Sequence, residues 1–127
     1  MGILKDRFRE KSVAAAAEIK EILKEHGTKK VGEVQLAQIY QGMRGITGLV
    51  TETSLLDSQE GIRFRGYSIP ELRKKLPKIK GGSEPLPEGL FYLMLIGDMP
   101  TDEDVAHVTS VWQRRSHVPN HVFDTID

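Results

Sequence analysis

The chain has 127 residues, 39% of them apolar, with 18 basic and 18 acidic side chains and no cysteine. Balanced charge excludes a global field drawing the molecule onto nucleic acid or an anionic membrane. The missing thiols exclude a disulfide scaffold and a thiolate metal site, and no apolar run approaches the ~20 residues that span a bilayer. A soluble intracellular or matrix protein with one modest core, and so one domain, is expected.

In chain order, residues 1–27 predict a long helix with a narrow apolar face. Leu4, Phe8, Ile19, Ile22 and Leu23 recur at helical spacing around an alanine-rich middle, and Gly27 is placed to end it. The segment is amphipathic, as mitochondrial presequences are, but Asp6, Glu10, Glu18, Glu21 and Glu25 argue for mature protein. Met1-Gly2 opens a myristoylation pattern that Asp6 breaks, since Ser or Thr belongs there. Val34, Leu36, Ile39, Tyr40 and Met43 outline a short helix, broken by Gly42, Gly45 and Gly48. Residues 45–67 form a small β-hairpin region: the runs "ITGLV", "TSLL" and "IRFRGY" are strand-like, and "DSQEG" is a hairpin turn.

Residues 68–127 read as helical. "SIPE" is a capping box with proline in the first turn, starting a helix from Ile69 towards Leu76. "PKIKGGSEPLP" is a loop, and "EGLFYLMLI" is an apolar helix ended by Gly97. Thr101 with Asp102, Glu103 and Asp104 starts a helix whose core face is Val105, Val108, Val111 and Trp112; Arg114, Arg115 and His117 complement its dipole, and Pro119 stops it. Asn120 is placed to cap a last helix carrying Val122, Phe123 and Ile126, with no C-cap before Asp127, so that it reads as an interrupted element of a fragment. The fold class is mainly α, about five to six helices with a small β-hairpin.

Three arginines are the candidate site residues. Arg44 sits among Gly42, Gly45 and Gly48, a spacing that matches neither a dinucleotide fingerprint nor a P-loop. Close backbone approach there suits a guanidinium that holds a phosphate; the other reading is a solvated arginine at a helix end. Strand alternation places Arg63 and Arg65 on one face and Ile62 with Phe64 in the core. That strip is either the wet face of an amphipathic strand or a docking or anion-steering patch. His117 and His121 are four apart, a common zinc-ligand spacing, but Pro119 interrupts the helical face they would need. His26 and His107 are isolated, and no serine, histidine and carboxylate cluster suggests a nucleophilic triad.

The segments "GMRGITGLVTETSLLDSQEGIRFRGYSIPEL" and "KGGSEPLPEGLFYLMLIGDMPT" resemble the N-terminal part of citrate synthase of the eukaryotic mitochondrial type. The likeness covers nearly the whole chain, strongest from Val31 to Thr101. It implies the first helices and small hairpin of the large domain of a homodimer in the mitochondrial matrix, with residues 1–127 all belonging to that domain. The implied reaction condenses acetyl-CoA, oxaloacetate and water to citrate and CoA. It needs no metal and no cofactor, acetyl-CoA being a substrate.

The catalytic residues implied, two histidines and an aspartate, belong to later segments of the family chain, so none is assigned here and the isolated chain is expected to be inactive. The arginine of "GMRG" lies near the CoA phosphates in the family, which maps onto Arg44. The "IRFRGY" arginines, Arg63 and Arg65, map to a surface near the route to the active site. The alternative is a naturally short, non-catalytic homologue acting as a structural or regulatory partner.

Overall fold

The alanine-rich N-terminus forms α1 (Ile3–His26) in the computed structural model, which describes residues 2–46, 48 and 50–126. Its 24 residues exceed the length at which good helix formers hold a helix in water, and Ala, Glu and Lys fill its middle. None of its residues is buried: Leu4 is half-covered, whereas Phe8, Ile19, Ile22 and Leu23 are exposed. After it, α2 (Leu36–Tyr40) is shorter than the apolar spacing predicts, because Gly42 and Met43 turn to φ of 73° and 60°. The chain forms two compact units, Met1–Thr51 and Glu52–Asp127, and these two helices belong to the first.

The second unit begins with the expected hairpin. Strands β1 (Ser54–Asp57) and β2 (Gly61–Phe64) pair antiparallel from Ser54↔Phe64 to Asp57↔Gly61. Asp57 closes the turn, its Oδ1 accepting the N–H groups of Gln59 (2.7 Å) and Glu60 (2.9 Å). Those bonds, Glu60's first, hold the carboxyl below its ordinary value of 3.8. A second, unexpected hairpin follows: β3 (Tyr67–Ser68) pairs with β2 through Phe64↔Tyr67, giving a three-stranded sheet in the order β1-β2-β3. The run "ITGLV", read as strand-like, includes Thr47 and Leu49, which lie outside the described residues; Ile46, Gly48 and Val50 are not in a strand.

Four helices complete the described chain: α3 (Ile69–Lys75), α4 (Pro87–Ile96), α5 (Asp102–Arg114) and α6 (Asn120–Ile126). The capping box forms as expected, Glu71 Oε2 accepting from the Ser68 N–H (2.8 Å) and hydroxyl (2.7 Å). Thr101 and Asp104 repeat it at α5, with the Thr101 N–H 3.0 Å from Asp104 Oδ2 and the Asp104 N–H 3.2 Å from Thr101 Oγ1. Gly97 ends α4 with φ of 90°. The expected cap at Asn120 is displaced: Asn120 is inside α6, and the Pro119 carbonyl accepts the Val122 N–H at 3.0 Å. Similarly α5 ends at Arg114, which leaves His117 beyond it.

The core of this unit gathers Leu72 of α3, Leu76 just beyond its end and Leu93 of α4, with Phe64, Tyr67, Leu90 and Met99 packed against them. On α5, Val105 and Val108 are buried and Val111 is half-buried; Trp112 stays 40% exposed, edge-on to Phe91 at 5.2 Å. Leu93 is fully enclosed, so its truncation to alanine would cost about 2–5 kcal/mol. Among the described residues no helix is long and apolar enough to cross a membrane.

Candidate functional site

Arg44 stands in the turn after α2, and that turn is held by one side chain, Gln38. The Gln38 Oε1 accepts the Gln35 N–H at 2.9 Å, and its Nε2 donates to the Arg44 carbonyl at 3.3 Å. Its backbone carbonyl accepts the Met43 N–H at 2.8 Å. Three residues around Arg44 have positive φ: Gly42 (73°), Met43 (60°) and Gly45 (72°). For Met43 the left-handed conformation costs about 1–2 kcal/mol, which persists only where surrounding bonds impose it. The Gln38 clamp is that restraint, and Arg44 is exposed beside it. Residues Val31, Gly32, Glu33 and Val34 with Gly45 and Ile46 line a cleft of about 210 Å³ next to the turn. Sequence reasoning missed Gln38 because glutamine is an uncommon N-cap, so the Gln35–Gln38 pair hides an ordinary capping pattern.

Arg63 and Arg65 have different partners, and the reason is the second hairpin. Strand β2 ends at Phe64, and the two residues linking it to β3, Arg65 and Gly66, have φ of 47° and 84°. Paired positive φ values mark the primed turn that matches strand twist, so period-two alternation stops before Arg65. Arg63, within the strand, sends Nη2 and Nε to Glu60 Oε2 at 2.7 and 3.0 Å and Nη1 to the Gly66 carbonyl at 3.1 Å. Glu71 lies 3.8 Å away. The hydrogen bond to Glu60, then its charge, push the Arg63 guanidinium above its already high ordinary value.

Arg65 instead reaches the end of α4. Its Nη2 and Nε donate to the Met94 carbonyl at 2.8 and 3.2 Å, and Nη1 lies 3.6 Å from Glu52. Met94 is in the last turn of α4, where carbonyls lack helical partners and the dipole favours a cation. The Arg65 side chain is only 21% exposed, against 36% for Arg63. The expected strip of solvated cations is therefore two anchored arginines, one tying the hairpin to the start of α3 and one closing the end of α4.

The histidines occupy separate places. His26 ends α1 beside Glu25, and His107 on α5 keeps a buried Nε2 without a hydrogen-bond partner. His117 and His121 are exposed. Among the described residues no group of three or more histidine, aspartate and glutamate side chains is placed to hold a metal ion.

Against known proteins, residues 42–127 match the family model of the citrate synthase C-terminal domain, which leaves α1 and α2 outside that match. Over 124 residues, 98% of this chain, it is 53% identical to the mitochondrial citrate synthase of Saccharomyces cerevisiae, 52% to the mitochondrial 2-methylcitrate synthase of Yarrowia lipolytica and 51% to the mitochondrial citrate synthase of Aspergillus niger. The stretch matched is 26%, 27% and 26% of those proteins, so the chain spans about a quarter of the length of its curated relatives. A match over more than half the chain, with about half the residues identical to these synthases from end to end, assigns it: the chain belongs to the citrate synthase family.

Proposed function

We propose that this chain is part of an enzyme that condenses acetyl-CoA with oxaloacetate and water to give citrate and CoA, working as a homodimer in the mitochondrial matrix. The observation that carries this reading is the identity of 48–53% sustained over 124 residues to mitochondrial citrate synthases. The short, non-catalytic homologue is not favoured by relatives that are named as enzymes. We place the segment in the N-terminal part of the large domain, with acetyl-CoA and oxaloacetate bound by the complete protein and no resident cofactor.

Within that reading Arg44 contacts the CoA phosphates. Its support here is mechanical: the Gln38 clamp and the left-handed Met43 fix the backbone from which an exposed guanidinium projects. A charge-assisted bond to phosphate contributes about 1.5–3 kcal/mol. In the complete enzyme Arg44→Ala should therefore raise the KM for acetyl-CoA about tenfold or more and leave that for oxaloacetate unchanged. An unaltered acetyl-CoA KM would remove the assignment. Propionyl-CoA belongs in the same assay, because a relative of nearly equal identity is named for 2-methylcitrate.

For Arg63 and Arg65 we keep anion steering as a minor contribution. Glu60, Glu71 and Glu52 offset both charges locally, so little field is left to guide a dianion. Steering would show as a loss of kcat/KM for oxaloacetate in the double alanine variant that is larger at low salt than at high; equal losses would exclude it.

A further inference from the structure

The last turn of α3 and the hairpin-like loop that joins it to α4 together concentrate the positive charge of the second unit. Arg73, Lys74, Lys75, Lys78 and Lys80 fall within eight residues and make up over half of the nine cations in residues 52–126, a stretch with eleven acidic residues. Two of the five are engaged: Arg73 pairs with Glu84 at 3.1 Å, and the Lys75 ammonium stands 4.6 Å above the Tyr67 ring. The side chains of Lys74, Lys78 and Lys80 are exposed and make no ion pair or hydrogen bond among the described residues.

The loop holds its tip in a fixed form. An antiparallel bridge joins Lys78 and Pro85, the Leu86 N–H donates to the Pro77 carbonyl at 3.1 Å, and the Gly82 N–H donates to the Ile79 carbonyl at 2.8 Å. Between the two lysines Ile79 is 63% exposed. It leans over Gly82 so closely that a Cβ there would come within 2.5 Å of its Cγ2, and only glycine leaves that room. An apolar side chain seated over Gly82 is thus presented to solvent, flanked by two cations without ion pairs on a closed loop. Such preorganisation lowers the ordering cost of binding, and the charges select the partner.

We propose that residues 77–86 are a docking tip for an acidic segment of another protein, with Lys78 and Lys80 meeting its carboxylates and Ile79 meeting an apolar side chain between them. The proposal stands independently of the enzymatic reading, since it uses neither Arg44 nor catalysis. Its test is a TROSY NMR titration of the complete protein that carries these residues with the capped peptide Glu-Asp-Leu-Glu-Asp-Leu-Glu. Shifts should concentrate on the Ile79 methyls and the backbone amides of residues 78–82, weaken as salt rises, and vanish with Lys78→Glu plus Lys80→Glu. Gly82→Ala leaves every charge in place yet should weaken binding several-fold by displacing Ile79. Equal affinity for Gly82→Ala, or shifts spread over the lysines of α1, would reduce the effect to non-specific charge and overturn the proposal. Binding to phosphatidylserine vesicles without any response to the peptide would also overturn it, in favour of a lipid surface.

Discussion

Replacing Arg65 with alanine removes the cation at the end of α4 and leaves the carbonyl of Met94 without its two donors. Both N–H groups share one oxygen, so they count as a single charge-assisted bond, for which the ordinary range is about 1.5–3 kcal/mol. The helix dipole adds about 0.3–1 kcal/mol, whereas the Glu52 contact, whose carboxylate is 83% exposed, adds little. A loss of about 2–4 kcal/mol follows, equivalent to about 10–20 °C in Tm for a unit of this size. Urea unfolding followed by circular dichroism and by the fluorescence of Trp112 would measure it, since that indole packs edge-on to Phe91 of α4. Arg73→Ala is the control: its pair with Glu84 is about 60% exposed on both sides and should contribute under about 1 kcal/mol. Arg65→Gly should cost less than Arg65→Ala, because glycine relieves the φ of 47° that both other side chains must bear. If Arg65→Ala destabilises no more than Arg73→Ala, the anchoring argument is wrong.

Gly97→Ala should destabilise by about 1–2 kcal/mol through backbone strain alone, since the added Cβ would meet nothing closer than the Arg65 guanidinium at 3.8 Å; a calorimetric Tm equal to the parent's would contradict this. Bonds from the Ser68 N–H and hydroxyl, then Lys75 and Arg63, hold Glu71 below its ordinary 4.5. Because the folded value is depressed, its contribution is complete above pH 4.5 and is lost as pH falls through the folded value, and Asp57 behaves likewise below 3.8. Glu71→Gln should accordingly flatten the acid-side fall in the urea midpoint, and an unchanged slope would assign that fall to other groups. Under denaturing conditions the protein from its native source should have an intact mass several times 14.3 kDa, whereas a mass near 14.3 kDa would favour the short homologue.

Local chemistry alone determined most of the elements. Ser68–Glu71 and Thr101–Asp104 are reciprocal caps between residues three apart, and Pro87 and Gly97 bracket α4 because one fits a first turn and the other tolerates left-handed backbone. The resemblance carried by "GMRG" and its neighbours likewise needed only the order of residues. Tertiary structure decided what the arginines do. Period two assigns Arg63 and Arg65 to one face only if the strand continues, and the turn at Arg65–Gly66 ends it. Once turned, Arg65 finds a carbonyl 29 residues away in sequence, a contact that no local pattern encodes. The clamp on Arg44 was hidden in the same way, since one glutamine serves as helix cap and loop tether only after the chain has folded back on it.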